Sequence, residues 1–533
     1  MANSSIRRAT AMLASGTLVS RVLGFGRQWL LVQAIGATGF VTDAFNTANS
    51  APNTVYAIIS QGILNAVLIP QLVRAAKHRD GGQAYINKLV TLGMVVFAAV
   101  TLIATLLSPQ LMVIFGIRRE SLDLAIAFAY WSMPQVFFYG LYSLLGEVLN
   151  ARNSFGPFTW APVLNNVISI ASLAVFLWAY GQHQVAGIGD WPGLKVFILA
   201  GGATLGIVAQ AVVLFAFWGR IGLRFRFDFA WRGMELRSVG KAAGWTFAML
   251  LCTQLAGTYQ TFVANSASGA HRVGPQGLAT TWLIFMLPFS IIAVSVVTAY
   301  FTRMAEHARD EDFVSFRADY AAAVRSIVLL ISICAAVLIV TAFSFSRVFT
   351  PDYLPYGFVL IGYLIGLVPS VVGFVTLRAL YSLGDTRSPF VYTLVQSIIV
   401  AIGLSICLVL PLDIRAVGIS LTVSIAGTVQ TALSMIFLRR RLQGLNLDVV
   451  VRSIVQGFAA SLVAVGLGCL ALFGADHLNG GHGGFAVASP LSAIASMIIV
   501  GVVMLGTYIV ILRAFHVPEL LAALRSVRRR LGR

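Results

Sequence analysis

Two arginines stand where a guanidinium is hardest to keep. Arg21 and Arg27 lie in SRVLGFGRQ, inside an apolar run from 9 to 35. A charged side chain near the bilayer centre costs at least about 2.5 kcal/mol, so it faces a cavity or a partner. A guanidinium stays protonated and forks onto two oxygens at once, which suits a phosphate. The pair therefore points to anion binding. Six residues of helix set the two side chains roughly 120° apart. Gly24 and Gly26 between them permit a bend or local unwinding that would turn both into one cavity. The structural alternatives are an ion pair with Asp43, or snorkelling of Arg27 to the nearer membrane face.

Asp43, in TDAF, has two readings. It is a counter-ion that positions the arginines, or an N-cap at the start of the second apolar run, a role for which Thr42 competes. Glu147, in LLGEVLN, is an acid well inside a span. Desolvation would make it a proton site; the alternative is a hydrogen bond at the span's end, near Arg152. Arg378 lies close to a span end and reads as a headgroup-level anchor. Gly202 and Gly206 in GGATLG have the small-residue spacing of close helix packing. His477 and His482, in a Gly-rich loop, lack further ligands at useful spacing for a metal. Cys252, Cys334, Cys407 and Cys469 all fall in apolar runs and read as small core residues. There is no phosphate-binding P-loop and no Ser–His–Asp pattern, so no enzyme and no ATP motor is indicated. No cofactor is expected; a coupling ion, H+ or Na+, stays open.

The elements that must hold these residues follow from composition. The 533 residues are 58% hydrophobic and 11% charged, against roughly 25% charged in an average soluble protein. Runs of about 20 apolar residues recur throughout, enough to cross roughly 30 Å of hydrocarbon. Inside a bilayer such runs must be helical, so the fold class is all-α. Fourteen spans are expected: 9–35, 44–73, 86–108, 124–150, 160–181, 195–219, 238–264, 276–301, 321–345, 355–382, 389–411, 415–438, 453–473 and 490–513. The polar start reads as part of a retained first helix and not a signal peptide.

The formal charge of +18 does not indicate nucleic acid, because the basic residues sit in short loops between spans. With the N-terminus in the cytoplasm, twenty-nine of the 37 Lys and Arg residues fall on the inner side and six on the outer. That bias predicts an even span count and both termini inside. LVRAAKH (Arg74, His78) and FTRMAEH (Arg303, His307) are 229 positions apart; NSFGPF (Pro157) and DTRSPF (Pro389) are 232 apart. Near-equal offsets suggest two related six-helix halves in parallel, a two-lobed transporter plan with a site between lobes. The expected division is 1–225, 226–445, an added helix pair at 446–516, and a basic tail at 517–533 that lies against anionic lipid headgroups.

The opening block, SRVLGFGRQ with TDAF, Pro52–Asn53 and Ile69–Pro70, resembles the MurJ/MviN-type lipid II flippases of the MOP exporter superfamily. MPQVFFYGLYSLLGEVLNARNSF, APVLNN and RALYSLGDTRSPF fit the same family. The resemblance implies two six-helix lobes around a cationic cavity for the diphosphate and sugar headgroup, with a groove by the last two spans for the isoprenoid tail. It implies alternating access driven by membrane potential or an ion gradient, in the bacterial inner membrane. Arg21 and Arg27 match the family's first-helix cavity arginines, and Asp43 its acidic residue after that helix. Partners would be lipid II and proteins of cell-wall synthesis. Two departures stand out. Tyr56 and Ala57 occupy positions where many members carry arginine, with Gln61 in place of glutamate; Leu283 stands near another expected arginine. Arg272 is a candidate substitute positive.

Rival readings are another MOP-type exporter, moving a polyprenyl-linked oligosaccharide or cationic drugs, and a non-transporting scaffold of cell-wall synthesis. A drug exporter favours acids in its cavity, whereas arginines outnumber acids here. A scaffold has no reason to bury Arg21.

Overall fold

A computed structural model describes residues 2–60, 82–152, 154–182, 188–231, 241–445, 447–478 and 484–515. Among the described residues there is no β-strand, and eleven helical stretches are long and apolar enough to cross a membrane. Arg74 and His78 of the repeat, Gln61, Arg232, Arg237, His482 and the tail at 517–533 lie outside the described residues.

The chain packs as two units, Met1–Gln276 and Gly277–Arg533. The first holds α1 (Ala2–Ile35), α2 (Phe40–Ile59), α3 (Gln83–Leu106), α4 (Leu122–Ser132), α5 (Gln135–Ala151), α6 (Phe155–Tyr180), α7 (Gly202–Val212) and α8 (Lys241–Ser266). The division falls a helix later than the 225/226 boundary expected from the repeat, because α8 packs on α2: the Gln254 amide donates to the Thr54 carbonyl at 3.2 Å. α9 (Pro275–Pro288) begins in this unit and carries the chain into the next.

The second unit continues with α10 (Val294–Arg309), α11 (Phe313–Val340), α12 (Ala342–Phe349), α13 (Tyr353–Leu364), α14 (Leu367–Ser382), α15 (Arg387–Val409), α16 (Leu412–Arg441), α17 (Leu447–Leu478) and α18 (Pro490–Ala514). α17 and α18, the added pair, pack on α11 in one cluster that holds Leu329 and Ile333 of α11, Ala460 and Ala464 of α17, and Val500 and Met504 of α18, and the Tyr508 hydroxyl donates to the Leu329 carbonyl at 2.7 Å.

Several expected spans are broken rods, and two of the breaks stand at matching places. Span 124–150 is α4 and α5, interrupted at Met133–Pro134; span 355–382 is α13 and α14, interrupted at Ile365–Gly366. Pro134 and Gly366 are 232 positions apart, the same offset as the sequence repeat. A proline has no N–H for the helix ladder, and a glycine weakens it, so both breaks have local causes.

α1 shows none of the expected unwinding: it runs unbroken through Gly24 and Gly26. Glycine at 16 lets it lie close along α6, and Gly24 faces Asn166 at ordinary contact distance. A Cβ on Gly16 would press Thr159 and Trp160 at 3.0 Å, and one on Gly24 would reach Asn166 at 3.9 Å. Small residues at such seams are how helices associate in lipid. α1 ends at Gly36, whose φ of 85° only glycine adopts without strain.

Candidate functional site

Because α1 is continuous, Arg21 and Arg27 leave the helix on different faces. Arg21 is exposed and Arg27 half-buried. Neither makes an ion pair among the described residues. The side-chain amide of Asn166, in α6, donates to the Ser20 carbonyl at 2.9 Å and the Ser20 hydroxyl at 3.2 Å. Asn166 is 7% exposed, so this bond sets the register of α1 one residue before Arg21.

Arg27 lies close enough to Tyr139 of α5 to interact with it electrostatically. Tyr139 in turn sits in a polar and aromatic row. Its ring is 5.6 Å from that of Tyr56, whose ring is 6.2 Å from Phe97. The Ser60 hydroxyl reaches the Tyr56 oxygen at 3.3 Å. Gln135, fully buried one turn before Tyr139, donates to Asn49 at 3.0 Å and to Thr204 at 2.9 Å. Amides buried in a bilayer must find such partners, and the partners then tie α2, α5 and α7 together. Tyr56, where an arginine is expected, thus supplies a ring and a hydroxyl in place of a charge.

Asp43 takes neither expected role. The first turn of α2 is preceded by Gly39, with φ 120°, and the Thr42 hydroxyl donates back to the Ile35 carbonyl at 2.6 Å. The Asp43 carboxyl instead accepts the backbone N–H of Gln276 at 3.0 Å. It therefore caps the first turn of α9, where free N–H groups and the helix dipole favour an acidic oxygen. Gly274 makes room for it: a methyl there would collide with the carboxyl oxygens. Ser268 lies alongside. The contact continues along α2, with Asn46 donating to the Gln276 side chain at 2.7 Å. Asn265 donates to the Phe115 carbonyl at 2.8 Å and faces Thr47 at 3.2 Å. The expected pairing of Asp43 with Arg21 or Arg27 is absent, because its carboxyl is turned into this network.

The remaining candidates are separate from these clusters. Glu147 is half-buried on α5 and pairs with no basic side chain among the described residues, Arg152 included. Arg272 is half-buried in the turn between α8 and α9, where His271 holds a φ of 60°. Leu283 is half-buried on α9. Arg378 lies over the rings of Phe374 at 5.3 Å and Phe301 at 5.6 Å, a stacked cation and not a free anchor. His477 stacks on Phe473. The four cysteines are free, and Cys469 faces outward where a core position is expected. No three His, Cys, Asp or Glu side chains gather as a metal would need, among the described residues.

A family model described as "Lipid II flippase MurJ" matches residues 31–491. The match begins downstream of Arg21 and Arg27 and includes Asp43, Glu147 and Arg272. Among curated relatives, the probable lipid II flippase MurJ of Rickettsia prowazekii (strain Madrid E) is 25% identical over 438 residues, covering 79% of this chain and 81% of that protein. The probable lipid II flippase MurJ of Rhizobium meliloti (strain 1021) is 26% identical over 446 residues, with 80% of each covered. Among solved structures, a lipid II flippase MurJ in an inward closed conformation superimposes with a TM-score of 0.73 at 17% identity, covering 95% of this chain and 99% of that one. An inward-facing MATE-family multidrug transporter of the MOP superfamily gives 0.63 at 16% identity, over 79% and 94%. At these identities the structural likeness speaks for the fold.

Proposed function

The chain belongs to the lipid II flippase MurJ family, and from that membership we propose that it carries lipid II, the polyprenyl-diphosphate-linked peptidoglycan precursor, from the inner to the outer leaflet. It is a transporter and not an enzyme. The observation that carries this is the family match across residues 31–491 on a multi-pass helical fold.

The physical task is to take a diphosphate through about 30 Å of hydrocarbon. Something must replace the hydrogen bonds of water around the phosphates while the isoprenoid tail stays in lipid. We assign that task to Arg21 and Arg27, with Tyr139 near enough to Arg27 to interact with it electrostatically. Among the described residues neither has a carboxylate partner, which supports this, since a guanidinium without one is available to an anion. Two lobes would alternate access, with both termini cytoplasmic. Membrane potential or an ion gradient would supply the drive, and the pair at 446–516 would carry the tail groove. Glu147, half-buried and without a basic partner among the described residues, is the candidate coupling carboxyl.

Complementation and reconstitution test this together. In cells depleted of their own lipid II flippase, the wild-type chain restores growth. In liposomes it moves lipid II in preference to polyprenyl diphosphates bearing other sugars. Equal transport of an unrelated polyprenyl-linked oligosaccharide, without rescue of growth, would overturn the substrate.

A further inference from the structure

The segment after the span Gly193–Ile221 reads LRFRFDFAW, from Leu223 to Trp231. Arginines and aromatic residues alternate along it. The odd-numbered rings form a row: Phe225 to Phe227 is 5.0 Å, Phe227 to Phe229 is 6.3 Å and Phe229 to Trp231 is 5.7 Å. The row starts inside the protein and leaves it. Leu223 is buried and Phe225 packs on Phe215 at 5.6 Å, whereas Phe227 and Phe229 are 64% and 63% exposed. Arg220, Arg224 and Arg226 are exposed, and Arg220 lies over the ring of Phe217 at 4.8 Å.

This is a built strap. Three residues of one face of α3, four apart, hold its backbone. Gln83 and Asn87 both donate to the Arg224 carbonyl, at 3.1 and 3.3 Å, and the Asp228 N–H donates to the Thr91 hydroxyl at 3.1 Å. These bonds satisfy backbone groups of the strap that no helix pairs. Asp228, the one acid from 191 to 231, spends its carboxyl oxygen on the Ala230 N–H at 2.9 Å and pairs with none of the arginines. Position decides what meets this surface. The strap begins where one span ends at Ile221 and lies on the first turns of another, which starts at Gln83. It is therefore at the level of lipid headgroups, where exposed Phe rings can enter the headgroup–acyl boundary.

We propose that Arg220, Arg224 and Arg226 with Phe227 and Phe229 form a docking site for anionic phospholipid, the guanidiniums binding headgroup phosphates and the two rings entering the interface. This goes beyond the transport reading and does not depend on it. Each basic residue near an anionic surface contributes about a fivefold preference, so the three together give on the order of a hundredfold. Salt near 0.5 M weakens it.

The experiment is native mass spectrometry of the purified full chain titrated with short-chain phosphatidylglycerol or phosphatidylcholine. The wild-type chain retains phosphatidylglycerol, and Arg220→Gln/Arg224→Gln/Arg226→Gln loses it on the order of a hundredfold with phosphatidylcholine binding unchanged. Equal phosphatidylglycerol binding by the two proteins overturns the proposal. Displacement of phosphatidylglycerol by stoichiometric polyprenyl diphosphate also overturns it, since the arginines then serve the substrate. A measurement without substitution guards against a misfolded variant: hydrogen exchange across 222–231 slows in nanodiscs containing phosphatidylglycerol relative to phosphatidylcholine alone. Identical exchange in the two discs counts against the site.

Discussion

The Asp43 carboxyl accepts the backbone N–H of Gln276 at 3.0 Å, across 233 residues of chain. Asp43 is 1% exposed and Gln276 fully buried, so the bond has no water to replace it. Removing an acceptor from such a pair costs about 1–3 kcal/mol, because the donor is left unsatisfied. Asp43→Ala lowers the thermal midpoint of the detergent-purified chain, whereas Asp43→Asn, which keeps an oxygen in place, loses less. Gly274→Ala, which drives a methyl into the carboxyl, behaves like Asp43→Ala. Equal midpoints for Asp43→Ala and wild type would remove this cap from the account.

Asn166 is expected to matter more than the serine it holds. Its amide grips both the Ser20 carbonyl and the Ser20 hydroxyl. Ser20→Ala deletes one of those bonds and keeps the carbonyl; Asn166→Ala deletes both and opens space beside Gly24. The second change costs about 1–3 kcal/mol and lowers lipid II transport at the same expression level, through Arg21 one residue on. Transport is compared in liposomes at matched protein content; indistinguishable rates for the two variants would refute the positioning role.

Some of this was legible in sequence and some was not, for physical reasons. Arg21 and Arg27 stand out because a charge in an apolar run is costly wherever the chain goes. The spans stand out because a bilayer leaves the backbone one regular choice. Asp43 was visible as an acid, but its partner is a main-chain N–H more than two hundred residues away, and no spacing encodes that. Gln135, Asn166 and Asn265 carry neither charge nor period; only their presence as amides within apolar runs signals helix-to-helix bonds. The continuity of α1 through Gly24 and Gly26 reflects packing against α6, which propensity does not contain. Arg224 and Arg226 count in a topology tally, while their alternation with Phe225, Phe227 and Phe229 is the better signal.

Two glycines of α5 seat aromatic rings. A Cβ on Gly140 would run into the Phe97 ring, and one on Gly146 into the Phe158 ring. Phe97 is 1% exposed and stands between α3 and α5, so it has nowhere to retreat. Overpacking of this kind costs about 1–3 kcal/mol. Gly140→Ala destabilises the chain by that order in a thermal melt, and Gly140→Ala combined with Phe97→Leu recovers part of the loss. No recovery would mean that the ring is not the obstacle.

If Arg21 and Arg27 form the diphosphate site proposed above, transport is sensitive to voltage. Arg21 and Arg27 have no carboxylate partner among the described residues, and Asp43 is committed to Gln276. The unloaded site therefore carries positive charge, and a bound diphosphate offsets it. Moving one elementary charge through 100 mV is worth about 2.3 kcal/mol. An inside-negative potential accordingly favours return of the empty, cationic site to the inner face, and collapsing it with an ionophore slows lipid II turnover. Arg27→Gln reduces the charge that returns, so its residual transport depends less on potential than that of wild type, even though its affinity for the diphosphate falls roughly tenfold to a hundredfold with the lost charge-assisted bonds. Flux measured in liposomes at imposed potassium-diffusion potentials separates the two effects. A wild-type rate that does not change with potential, or an Arg27→Gln slope equal to that of wild type, would show that these guanidiniums do not carry the voltage-sensitive charge.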